Sequence, residues 1–132
     1  MRKTLNFETK KLYATQALKW CKIFFGENER KRTKLSFEFT SRIRRIKQCE
    51  VFGNYCFYRN KMTIHSETCE TLHDIVSTVI HEYTHYLQSR NQYKYYQEHY
   101  YYSANPCERE AKRNEQKYTT ECLKHINKKI VR

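Results

Sequence analysis

Residues 72–90 read Leu-His-Asp-Ile-Val-Ser-Thr-Val-Ile-His-Glu-Tyr-Thr-His-Tyr-Leu-Gln-Ser-Arg. Leu72, Ile75, Val76, Val79, Ile80, Tyr83 and Leu87 recur at i, i+3, i+4 spacing, which predicts an amphipathic helix with one apolar stripe. His81 and His85 fall nearly opposite the centre of that stripe, with Glu82 to one side. Four residues is about one helical turn, so both imidazoles lie on one face and can reach one metal ion. Together His81-Glu82-Tyr83-Thr84-His85 is an HExxH motif. Its chemistry is that of two zinc ligands and a neighbouring carboxylate placed to act as general base, Glu82. The bland reading of the same pattern is a surface helix with two solvated histidines.

A catalytic zinc site takes three protein ligands and leaves a position for water. The chain downstream offers two kinds of third ligand. Asn105-Pro106 suits the N-cap and first position of a further helix. Glu108 then stands three residues after the cap, where a carboxylate completes a capping box. Cys107, Ala111, Tyr118 and Cys122 are read as the inner stripe of that helix, with Glu110 at its edge and Glu108 turned away. On this reading Glu110 is the preferred third ligand. His99, in a tyrosine-rich segment between the two helices, is the alternative. A metzincin arrangement is excluded, because Gln88 and Asn91 stand where its glycine and third histidine belong.

The run Asp74 to Leu87, followed by Asn105-Pro-Cys-Glu-Arg-Glu110-Ala111, resembles the small HExxH peptidases of phages and mobile elements. It is similar to ImmA/IrrE-type enzymes, in which a Glu preceding an Ala on a later helix completes the zinc site. The resemblance covers roughly residues 50–118. It implies an α+β, minimal zincin-like domain, with a small, mostly antiparallel sheet packed with an N-terminal helix, the HExxH helix and a C-terminal Glu-bearing helix. It also implies Zn²⁺ held by His81, His85 and Glu110, Glu82 as catalytic base, and a protein or peptide substrate. By analogy, residues 58–65 would be the edge strand that receives the peptide by β-augmentation. His99, Tyr100 or another tyrosine of residues 93–102 would supply the oxyanion donor. After Ala111 the chain reads Lys112-Arg113-Asn114-Glu115-Gln116 in place of the apolar continuation of those enzymes, which leaves subfamily and substrate open. SprT-like proteases are a more distant likeness; their third ligand is a histidine, which would favour His99.

The remaining sequence sets the frame. A length of 132 residues suits one domain, 1–132. No apolar run is long enough to cross a membrane, and no apolar segment follows Met1-Arg2-Lys3, so a cytoplasmic protein without membrane contact is expected. None of the six cysteines forms a CxxC pair, and free thiols are expected, with a Cys49–Cys56 cross-strand bridge as a minor option. A helix over 6–25, with Ala14, Ala17, Leu18, Cys21, Phe24 and Phe25 inward, ends at Gly26. Residues 35–40 alternate as a half-buried strand, and 43–52 and 55–65 read as two strands joined through Gly53-Asn54. Asp74 suits a helix N-terminus or a partner for a ligand histidine. The formal charge of +12 raises nucleic acid as a further partner. The alternative function is accordingly a basic nucleic-acid-binding or structural phage-type protein whose zinc site is vestigial.

Overall fold

The computed structural model describes residues 5–130. Helix α1 spans Phe7–Phe25. Asn6 caps it by accepting from the Thr9 amide, and Gly26 stops it at φ +80°, a conformation that costs glycine little. Its buried face is Tyr13, Ala14, Ala17, Leu18, Trp20 and Cys21, with Lys10 buried beside them and its ammonium donating to the Ser66 carbonyl at 2.8 Å. Phe24, expected inside, is half exposed and stacks on Trp20, while Phe25 is partly buried against the same cluster.

Five short strands follow. β1 (Ser36–Thr40), β4 (Gly53–Cys56) and β5 (Lys61–His65) form one sheet in the order β1-β5-β4. β5 pairs parallel with β1 and antiparallel with β4, so this sheet is mixed rather than mostly antiparallel. β2 (Arg45–Ile46) and β3 (Cys49–Glu50) make a separate two-residue ribbon. The expected 43–52 strand thus breaks in two, turning through Lys47 (φ 51°) and Gln48 (φ 67°). The expected 55–65 strand also breaks, at a turn that ends on Asn60 (φ 48°).

Gly53 and Asn54 lie inside β4 and make no turn. A Cβ on Gly53 would sit 2.6 Å from Thr78 Cγ2, so the strand approaches helix α2 at a distance that only glycine allows. Because β5 is paired on both sides, residues 58–65 offer no free edge; β4 is the edge strand on the α2 side. Cys49 and Cys56 remain free thiols, as do the other four cysteines.

Helix α2 (Leu72–Leu87) runs through the centre of the molecule. Thr71 and Asp74 form a reciprocal capping box, which is where Asp74 is used. Ile75, Val76, Val79, Ile80 and Tyr83 are fully buried, each contributing about 1.5–3 kcal/mol by leaving water. α2 ends two residues after His85, and Ser89 caps a separate helix, α3 (Arg90–His99), which buries no residue. A 3₁₀ turn at Tyr102–Ala104 leads into α4 (Pro106–Ile130). α4 packs along α2 and also reaches α1, where Tyr13 Oη donates to Asn127 Oδ1 at 2.6 Å. Among the described residues no helix is long and apolar enough to cross a membrane.

Candidate metal centre

The buried residues of α4 are Cys107, Glu108, Ala111, Thr119, Cys122 and Ile126. At about 100° per residue, Glu108, Ala111, Glu115, Thr119, Cys122 and Ile126 form one continuous stripe, and this stripe faces α2. Glu108 is therefore an inward residue at the start of α4, 6% exposed. Its Oε1 lies 2.8 Å from His85 Nε2 and 3.2 Å from His81 Nε2. Ligand atoms of His81, His85 and Glu108 all fall within 4.8 Å of one another, the spacing of a group that can hold a metal ion.

This departs from the expected ligand set. Glu110 is exposed and accepts from Gln88 Nε2 at 2.8 Å, touching neither histidine. His99 is exposed at the end of α3, stacked on Tyr95 with Nδ1 2.8 Å from the Tyr95 carbonyl. Tyr100 is likewise exposed and packs against Tyr96. Neither His99 nor Tyr100 lines the cleft beside the triad. Glu108 does not complete the capping box either. Asn105 caps α4 by accepting from the Cys107 amide, while its own N–H donates to the Tyr102 carbonyl. The carboxylate is thereby left for the histidines.

The outer nitrogens decide how the imidazoles are presented. His81 Nδ1 lies 2.7 Å from Glu115 Oε1, and His85 Nδ1 lies 2.8 Å from Gln88 Oε1. Both partners are acceptors there, so both Nδ1 atoms carry the proton and both Nε2 atoms face Glu108. Gln88 is itself oriented, since its amide donates to the Cys107 carbonyl and to Glu110. An anionic oxygen set against two imidazole Nε2 atoms in a buried site calls for shared positive charge, from protons or from a divalent cation. Two imidazoles and one carboxylate make a donor set suited to zinc and its first-row neighbours.

The same geometry moves the titrations. Burial acts to lower the His81 pKa, but the hydrogen bonds its ring donates to Glu108 and Glu115 outweigh it and raise it to about 10. His85 is raised as well, with burial again opposed chiefly by Glu108. Burial alone would raise Glu108, yet the two histidines hold it down at about 2. Glu82, next to His81, is pushed up by burial despite the neighbouring imidazoles.

A cleft of about 370 Å³ opens beside the triad, lined by Phe52, His73, His81, Glu82, Tyr102 and Glu115 among others. Phe52 immediately precedes the β4 edge. Tyr102 stands at the rim of this cleft, 72% exposed; its partial removal from water, then the Glu108 and Glu82 carboxylates, raise its pKa and keep the phenol protonated. The Tyr93 ring packs edge-on against His85, their centroids 5.3 Å apart.

Glu115 and Gln88 were not marked by the motif, whereas Tyr102 falls within the tyrosines of residues 93–102 already offered as donors. Glu115 follows Glu108 by seven residues, two turns on the same face, and Gln88 follows His85 by three; both spacings are visible in the sequence once His81, His85 and Glu108 are seen to converge. Comparison with protein-family models, with curated proteins and with solved structures finds no match for this chain.

Proposed function

We propose that this chain is a zinc-dependent metallopeptidase with a minimal zincin-like fold, related in kind to the small ImmA/IrrE-type enzymes. The observation that carries the reading is the presentation of two Nε2 atoms and one carboxylate oxygen to a common point, each imidazole backed by its own acceptor. His81, His85 and Glu108 would hold the ion, with Glu108 in the role that sequence spacing gave to Glu110. A zinc ion held by these residues would supply Lewis-acid polarisation of a carbonyl and would make water acidic enough to ionise near neutral pH.

The chain's own residues account for the rest. Glu82 lies in the cleft next to His81, and burial favours its protonated form, which suits a carboxylate that accepts a proton and then returns it to a leaving amine. Tyr102 is the donor for the developing oxyanion, in place of His99 and Tyr100. The edge of β4, starting beside Phe52, is where an extended peptide adds to the sheet, in place of residues 58–65. The Glu82→Gln variant tests the reading. It should bind one zinc per chain like wild type and lose about 10²–10⁴-fold in hydrolysis of an unstructured peptide library read by mass spectrometry. Full hydrolysis by a zinc-loaded Glu82→Gln protein overturns it.

A further inference from the structure

The loop between α1 and β1 carries Arg30-Lys31-Arg32, and it is held at both ends. The Asn28 amide donates to Tyr86 Oη at 2.9 Å, and its side chain donates to the Tyr86 carbonyl at 3.0 Å. At the far end, Asn60 Nδ2 donates to the Thr33 carbonyl at 2.8 Å, and Asn60 is itself buried beneath Tyr55. The three cations are thus positioned by core residues rather than carried on a free tail.

They line a groove of about 600 Å³ with Arg90, Phe57 and Tyr58. No carboxylate among the described residues lines this groove. The Lys31 ammonium lies 4.9 Å from the Phe57 ring centroid, and the Arg90 guanidinium lies 3.9 Å from that of Tyr58. Burial, and then the Arg90 charge, lower the Lys31 pKa. Four like charges gathered without a counter-charge disfavour the fold, and a bound anion relieves them.

The groove continues. Phe57, Tyr58 and Arg90 also line a second groove of about 500 Å³ against the β4 edge, which adds Lys94 and Arg44 against Glu98. Arg44 in turn lines a third, on the outer face of the sheet, with Arg42, Arg45, Arg59 and Lys61. The one carboxylate lining that third groove, Glu38, is paired with Arg42 and Lys61. At the junction of the first two grooves stands Tyr58, an aromatic ring 77% exposed and backed by a guanidinium plane.

We propose that this belt binds single-stranded nucleic acid, with phosphates along the Arg30, Lys31, Arg32 and Arg90 groove and an unstacked base on Tyr58. Phosphate charge complements the cations, and an exposed aromatic ring beside a basic track is the feature that engages unpaired bases of any sequence. An acidic peptide would match the charge but has no use for the ring, and a duplex keeps its base faces stacked. The inference stands apart from the peptidase reading and needs no metal.

Fluorescence anisotropy of a labelled 15-nucleotide oligothymidylate, with chelator present, tests it. Wild type should bind at 50 mM salt, with log K falling against log[salt] at a slope of roughly −3 for four neutralised phosphates. The exposed triple variant Arg30→Glu/Arg32→Glu/Arg90→Glu should lose more than tenfold in affinity and flatten that slope, with unchanged circular dichroism. Tyr58→Ala should lose roughly 5- to 150-fold while Tyr58→Phe binds like wild type. Lys112→Glu/Arg113→Glu, equally exposed on α4, should have little effect. Absence of binding at 50 mM salt, or binding unmoved by the triple variant, overturns the site. Equal affinity for a polyglutamate of the same length, or for duplex DNA, overturns the choice of ligand.

Discussion

Three carboxylates of α4 stand at three distances from the two histidines, and conversion of each to glutamine should produce a graded loss of metal affinity. Glu108 touches both Nε2 atoms, at 2.8 and 3.2 Å. Glu115 touches the outer nitrogen of His81 alone, at 2.7 Å. Glu110 reaches His85 only through Gln88. Loss of a group that orients a ligand histidine costs about 10–100-fold in affinity, or about 1.4–2.7 kcal/mol, which is the expectation for Glu115→Gln. Glu108→Gln replaces an anionic ligand and should exceed 100-fold. Glu110→Gln leaves Gln88 bonded to the Cys107 carbonyl and should stay within about tenfold, the lower bound for an orienting partner. Competition with a chromophoric zinc chelator at pH 7.5 measures all three on one scale. Glu108 is also buried against two imidazoles, so its replacement costs about 3–5 kcal/mol in the metal-free protein, and circular dichroism melts must show that the variant is folded at the assay temperature. A zinc affinity that survives Glu108→Gln and falls with Glu110→Gln would refute the assignment. Equal losses in all three would show that general negative charge, not coordination, governs binding.

Stability of the metal-free chain should depend on pH in a defined sense. His81 is raised to about 10, so its contribution is full below about pH 6.5 and is lost as pH rises through about 10. Glu108 is lowered to about 2, so its contribution is full above about pH 4.3 and is lost as pH falls through about 2. Differential scanning fluorimetry with chelator should give a plateau between about pH 4.5 and 6.5, and saturating zinc should remove the alkaline decline; a metal-free Tm rising from pH 7 to 10 would contradict this. Because both histidines are raised, zinc binding at pH 7 should release protons, which calorimetry in buffers of different ionisation enthalpy would count; zero release would mean that the imidazoles are already neutral. Gly53→Ala should cost about 1–3 kcal/mol by overpacking against Thr78, partly relieved by Thr78→Ser, which removes the clashing methyl and keeps the hydroxyl bonded to the Asp74 carbonyl. Equal chemical-denaturation midpoints for wild type and Gly53→Ala would sink that account. Tyr102→Phe should lower kcat about 10²-fold with little change in zinc affinity; unchanged turnover would remove it as oxyanion donor.

The helix that carries the motif was legible because its pattern and its caps agree. The apolar positions of α2 follow one stripe, and Thr71 and Asp74 mark its start. The third acid was harder to read for a local reason. Glu108 stands at the capping-box position, and sequence rules assign it there, whereas in three dimensions the Asn105 amide bonds Tyr102 and frees the carboxylate. Thr119 and Ile126, both buried, swing the α4 stripe toward Glu108, and a buried threonine is not recognisable as an inward residue from polarity alone. Gly53-Asn54 reads as a hairpin turn by composition, but the glycine answers to Thr78, some 25 residues away in sequence and packed against it. The turns that do occur use Lys47, Gln48 and Asn60 at positive φ, of which only asparagine signals such a conformation. α3 has no apolar rhythm to detect, since none of its residues is buried.

His85 and Glu108 lie 23 positions apart, and α3 with the tyrosine-rich turn occupies the chain between them. An ion shared by the two residues therefore closes that excursion into a ring, much as a covalent cross-link would, in a chain whose six cysteines form none. Ring closure of this size removes conformational freedom from the opened chain, worth about 3 kcal/mol in a comparable disulfide loop. A protease cut within residues 90–104 should accordingly leave two fragments that migrate together while metal is bound and separate on chelation under mild denaturant. The tether would place the susceptibility of the surface tyrosine segment under the control of metal supply.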